Sequence, residues 1–168
     1  MQPAAAGPRV AMISNGAGTM VQGIDLLKSY GLEIPELSPE SLRKLAEVYP
    51  SFYLVQNPID VTGSATSADY EVGIETCMQD PQVDIVMPWF VFQDTPLEED
   101  IVQKLGKLSR TYNKPILVGA IGGGPFTLRM SQAIEAEGVP VLHSVREWIA
   151  AAKGLAFNHA RRREKLEA

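Results

Sequence analysis

Apolar, β-rich runs alternate with segments of helical period along almost the whole chain. This alternation constrains the fold more than any single residue does. The first run, Val10 to Ile13, leads into a helix predicted from about Met20 to Tyr30. Met20, Ile24 and Leu27 fall at three-to-four spacing, and Gly31 stops the helix. "LEIPEL" at 32–37 is predicted as a short second strand broken by Pro35. Ser38 then caps a helix with Pro39 at its first position. "VQNPIDVTGSATSADY" at 55–70 reads as a loop with a short extended segment, and a helix follows from about Ser67 to Gln79.

"VDIVMPWF" at 83–90 is nearly continuous in apolar residues, the pattern of a parallel strand buried on both faces. Trp89 and Phe90 within it are expected in the core. A capped helix is predicted within 93–112, a strand within 114–124, a helix from 125 with Gly138 just past its end, a last short strand at 139–143 and a final helix capped by Ser144. Repeated β-α-β units with buried parallel strands make a doubly wound α/β domain, and about five strands suit the flavodoxin-like order. The 168 residues favour one domain. Its predicted span is 8–155, after a flexible leader at 1–7 and before a helical tail at 156–168.

The formal net charge of −5 argues against a nucleic-acid partner, since no broad basic face is implied. Arg161, Arg162 and Arg163 are mixed with acids and read as a solvated helix end. The one cysteine, Cys77, cannot form an intrachain disulfide, and no His, Cys or acidic residues show metal-ligand spacing. No apolar run approaches a membrane span, and the first residues do not form a signal peptide. A reducing, cytoplasmic setting is expected.

In doubly wound sheets, ligands bind beyond the carboxyl ends of the strands. Three Gly- or polar-rich loops fall there: Ser14-Asn15-Gly16-Ala17-Gly18-Thr19, the loop through Gln93 and Thr95, and Gly119 to Gly124 with Gly122 and Gly123. A fourth, from Asn57 through Asp60 to Gly63, can fold over the same edge. Glycines permit close backbone approach, and a helix start offers free N–H groups to an anion. Ser14, Asn15 and Thr19 add hydrogen bonds without charge. The pattern is neither the dinucleotide fingerprint nor a P-loop. His143 and His159 lack a neighbouring motif, and Ser14 lacks a nucleophile elbow.

Two motifs together resemble the NDP-forming acyl-CoA synthetase superfamily, which includes succinyl-CoA synthetase and ADP-forming acetyl-CoA synthetase. They are "SNGAGTM" after the first strand and, about 40 residues later, "NPIDVTGSAT" leading into a helix. "DPQVDIV" and "GVPVLHSVREWIAAAKGL" resemble the acetyl type, and the likeness covers roughly residues 8–155. It implies the second flavodoxin-like ligase domain of an acid-thiol ligase, as a domain or small subunit. Its partners would be a CoA-binding domain, a His-bearing flavodoxin-like domain and ATP-grasp domains. CoA, ATP or ADP and Mg would serve the assembled enzyme, with none bound by this chain alone.

The resemblance further implies that Ser14, Asn15, Gly16, Ala17, Gly18, Thr19, Thr95, Gly122 and Gly123 bind phosphate, acyl phosphate or a partner's phosphohistidine. In this reading Asn15 donates its side-chain amide, while Asn57, Asp60 and Gly63 shape the neighbouring loop. Asp60 is expected to accept backbone N–H bonds rather than meet a second anion. The phosphohistidine motif, an ATP-grasp pattern and a CoA fingerprint are missing from this sequence, so no acyl-CoA synthesis is expected from this chain alone. The loop 92–96 also departs from the Gly-Gly version of the succinyl enzyme, which argues against succinate. A non-catalytic, acyl-CoA-sensing module of the same descent is the alternative.

Overall fold

The structure, a computed structural model, describes residues 2–93 and 96–167, apart from the side chains of 158–167. The elements run β1 (Val10–Ser14), α1 (Ala17–Ser29), α2 (Pro39–Val48), β2 (Ile59–Asp60), α3 (Ser67–Gln79), β3 (Ile85–Val91), α4 (Ile101–Thr111), β4 (Val118–Ile121), α5 (Gly124–Ala136), β5 (Val141–Leu142) and α6 (Val145–Glu167). The strands form one sheet in the order β2-β1-β3-β4-β5, every neighbour parallel. This is the doubly wound, flavodoxin-like order expected from the alternation.

Successive residues of a strand face opposite ways. Val10 and Met12 of β1, with Ile85, Met87 and Trp89 of β3, pack under α1 and α6 against Met20, Leu27, Trp148 and Ile149. Ala11 and Ile13, with Val86 and Phe90, pack under α2 to α5 against Leu45, Tyr70, Ile74, Ile101, Leu105 and Ile134. Both faces of β1 and β3 are therefore covered, which is why those strands read as unbroken apolar runs. Trp89 and Phe90 are buried in opposite halves of the core.

The sequence places the second strand too early. "LEIPEL" makes only an isolated parallel bridge, Arg9 to Glu33. Pro35 has no N–H to continue the pairing. The outer edge of β1 is satisfied instead by the Asn57 side chain. Its Oδ1 accepts the Met12 N–H at 3.0 Å, and its Nδ2 donates to the carbonyls of Val10 (2.9 Å) and Pro35 (3.0 Å). One amide side chain thus copies a strand's peptide group. True pairing resumes with Ile13 opposite Ile59 and Ser14 opposite Asp60.

α3 starts where its capping box sets it. The Thr66 hydroxyl accepts from the Asp69 N–H, and the Asp69 carboxylate accepts from the Thr66 N–H. α4 starts at Ile101, and its N-cap, Asp100, makes no side-chain cap bond. At the other end of the sheet, Gln2 bonds Ser109, Gly138 and Ile116, and Ala5 is buried.

Candidate functional site

β1 and β3 are neighbours, and the chain leaves their carboxyl ends toward opposite faces of the sheet. That is the switch point where such folds bind ligands. The turn from β1 to α1 lies there, and three of its backbone N–H groups are used internally. The Gly16 N–H donates to Ser14 Oγ at 2.9 Å, and the Thr19 N–H donates to the Gly16 carbonyl at 3.2 Å. The Asn15 N–H donates to the Tyr70 hydroxyl at 2.7 Å. Among the described residues, the N–H groups of Ala17 and Gly18, the first two positions of α1, have no partner. Both residues are exposed, whereas Ser14 and Asn15 are buried.

The two glycines do different jobs. A Cβ on Gly16 would lie 2.8 Å from Val91 Cγ2, so this glycine lets the turn seat against β3. A Cβ on Gly18 would meet nothing within 4 Å. Gly18 is not required by packing, and its bare surface lies beside the free N–H groups. No acidic side chain stands in the first turn of α1 to offset the positive end of the helix dipole.

Asn15 behaves differently from the sequence expectation. Its amide turns inward to β3: Nδ2 donates to the Val91 carbonyl at 3.1 Å, and Oδ1 accepts the Val91 N–H at 2.9 Å. The side chain extends the β1–β3 ladder by one residue and is not directed at an outside anion. The Tyr70 hydroxyl reaches Asn15 Oδ1 and the Trp89 carbonyl, each at 2.8 Å. Tyr70 was missed in the sequence. It is an apolar-face residue of a helix whose contact with Asn15 spans 55 positions, and no local signal marks it.

Asp60 accepts the Thr62 N–H through Oδ1 at 2.9 Å. Gly63 is exposed, and the left-handed backbone of this loop falls on Thr62, with φ 54°. Asn57 sits further back, against the middle of β1. Thr95 lies outside the described residues. Gly122 and Gly123 open α5 at the end of β4, with Gly122 at φ 146°; a Cβ there would lie 2.6 Å from Thr127 Oγ1. Gln93 Nε2 donates to the Gly123 carbonyl at 3.2 Å and ties this loop to the end of β3.

His143 places Nδ1 3.2 Å from the Ala120 carbonyl. A carbonyl only accepts, so Nδ1 carries the proton in that contact. Burial pushes the Cys77 thiol up to about 12, which leaves it inert as a nucleophile. Among the described residues, no group of three His, Cys, Asp or Glu could hold a metal ion. None of the described helices is long and apolar enough to cross a membrane.

The ligase-CoA domain family matches residues 10–166. This chain belongs to that family. It is 30% identical over 161 residues to the alpha subunit of acetate–CoA ligase (ADP-forming) II of Pyrococcus furiosus, covering 92% of this chain and 34% of that subunit. It is 31% identical over 149 residues to acetate–CoA ligase (ADP-forming) II of Archaeoglobus fulgidus, covering 86% of this chain and 22% of that protein. The ligase-CoA domain therefore spans about a third or less of these relatives' length.

Among solved structures, a Pyrococcus horikoshii protein superposes with TM-score 0.84 at 25% identity, over 92% of this chain and 36% of its own. The apo acetyl-coenzyme A synthetase 1 of Candidatus Korarchaeum cryptofilum superposes with TM-score 0.80 at 25% identity, over 97% and 36%. Relatives of this ligase-CoA domain are thus subunits or segments of ADP-forming acetate–CoA ligases.

Proposed function

We propose that this chain is one domain or small subunit of an NDP-forming acyl-CoA synthetase, and that the start of α1 receives an anionic phosphoryl group. The guest is phosphate, an acyl phosphate or a phosphohistidine brought in by a partner domain. The observation that carries the reading is the pair of unpartnered, exposed N–H groups on Ala17 and Gly18, in a turn whose Asn15, Gly16 and Thr19 N–H groups are used internally. Backbone donors fixed in advance stabilise a developing oxyanion without reorganising. The helix dipole adds to them without a lysine, so the anion is held and can still leave.

Each neighbour then has a task. Ser14 and Asn15 fix the turn, Gly16 seats it on β3 and Gly18 leaves room for the guest. The half-buried Thr19 closes the first turn beside it. Gly122 and Gly123, at the start of α5 on the same edge, offer a second place for the acyl end of the substrate. Asp60 stays on its own loop and adds no bond to the anion.

The overall reaction of such an enzyme converts acyl-CoA, NDP and phosphate to acid, NTP and CoA. CoA, the nucleotide and Mg would serve the assembled enzyme. Titrating the isotopically labelled protein with inorganic phosphate, and following the amide resonances, tests the reading. Saturable shifts centred on Ala17 and Gly18 are expected. Shifts centred elsewhere, or none, would reject the site.

A further inference from the structure

Two buried tyrosines, Tyr49 at the end of α2 and Tyr70 in the first half of α3, send their hydroxyls to different places. Tyr49 donates to the Asp69 carbonyl at the start of α3. Tyr70, with no exposed surface, reaches across to the turn after β1. From the second of these contacts we infer that Tyr70, through its hydroxyl, is a positioning residue for the α1 anion cradle, holding the Asn15 peptide so that the Ala17 and Gly18 N–H groups face outward. This inference rests on the reading of α1 as an anion site.

The geometry supports it in three ways. A hydroxyl has one proton and two lone pairs. Tyr70 accepts the Asn15 N–H at 2.7 Å and gives its own proton to Asn15 Oδ1 or to the Trp89 carbonyl, both at 2.8 Å. Asn15 is thus gripped at its backbone and its side chain by one group. The same Asn15 amide holds both the N–H and the carbonyl of Val91, and Val91 Cγ2 fills the space beside Gly16. Buried Tyr70 and Asn15 and half-buried Val91 therefore form one connected post under the turn. Burial also pushes the Tyr70 hydroxyl well above its ordinary range, so it stays a neutral donor and acceptor at working pH.

Without the hydroxyl, the Asn15 N–H is a buried donor with no acceptor, and its peptide must rotate or recruit water. Either change moves the peptides that carry the Ala17 and Gly18 N–H groups, although Tyr70 itself never touches the anion. A role in stability alone would not do this, and Tyr49 supplies the matched control. It is also buried and also donates to a backbone carbonyl, that of Asp69, and among the described residues it makes no hydrogen bond to the β1–α1 turn.

The test measures the Kd for inorganic phosphate from the Ala17 and Gly18 amide shifts, in the wild type, Tyr70→Phe and Tyr49→Phe. Tyr70→Phe is expected to weaken phosphate about fivefold or more, and Tyr49→Phe to leave it unchanged. Equal effects of the two variants, or no effect of Tyr70→Phe, would overturn the inference while the anion site stands. A wild type that does not bind phosphate at Ala17 and Gly18 rejects the site itself, and the inference with it. Amide hydrogen exchange on the wild type supplies a readout that needs no variant. Saturating phosphate is expected to slow exchange at Asn15 and Val91, because binding stabilises the held state of the post. Unchanged exchange at both would overturn the inference.

Discussion

Replacing Asn15 with alanine should destabilise the junction of β1 and β3, because its amide is bonded to Val91. The substitution leaves the Val91 N–H and carbonyl without partners and takes one of two acceptors from the Tyr70 hydroxyl. The hydroxyl can turn fully to the Trp89 carbonyl, so it adds little. Each orphaned buried group costs about 1–3 kcal/mol. Val91 is only half-buried, so water recovers part of that. The expected loss is about 2–4 kcal/mol, a large fraction of a typical domain's stability. Urea unfolding of wild type and Asn15→Ala, compared at equal m-value, reads it as a lower midpoint. Asn15→Asp keeps the acceptor for the Val91 N–H but sets a carboxylate against the Val91 carbonyl, so it should not restore stability. If Asn15→Ala unfolds within about 0.5 kcal/mol of the wild type, the inward amide is not holding β1 to β3 and the account of this turn is wrong.

Gly16→Val should destabilise by about 1–3 kcal/mol through collision with Val91, seen as a fall in thermal midpoint. Gly18→Ala meets nothing and should stabilise by about 0.4–1 kcal/mol, while weakening phosphate binding in the same amide titration. Burial raises the Asp84 carboxyl, and the bonds from Arg9 more than reverse this, leaving it below its usual range. Asp80 is likewise raised by burial and brought below its usual range by bonds from Gln82, Ser41 and Ser38. A depressed folded pKa gives stability that is present above about pH 4 and lost as the pH falls through the folded value. Asp84→Asn should flatten that acid limb in unfolding measured against pH.

The legible parts of the fold were those written in local pattern. β3 announced itself because burial on both faces demands an apolar run, and α3 spans the expected 67–79, its start set by the Thr66–Asp69 capping box that the structure shows. β2 did not, because two residues and the Asn57 side chain do the work of a strand. The β1–α1 turn was legible as a place, since glycines and small polar residues after a strand mark a helix start. The direction of the Asn15 amide was not, because it depends on Val91 and Tyr70, which are remote in sequence. Likewise, the left-handed residue of the Asp60 loop is Thr62, although Gly63 is the residue that pattern favours.

A crystal structure of this chain with inorganic phosphate tests the central claim most directly. The account predicts phosphate oxygens at hydrogen-bonding distance, about 2.7–3.2 Å, from the Ala17 and Gly18 nitrogens, with the Asn15 amide still on Val91. Phosphate bound elsewhere, or an Asn15 side chain swung out to hold it while Ala17 and Gly18 make no contact, would contradict the account.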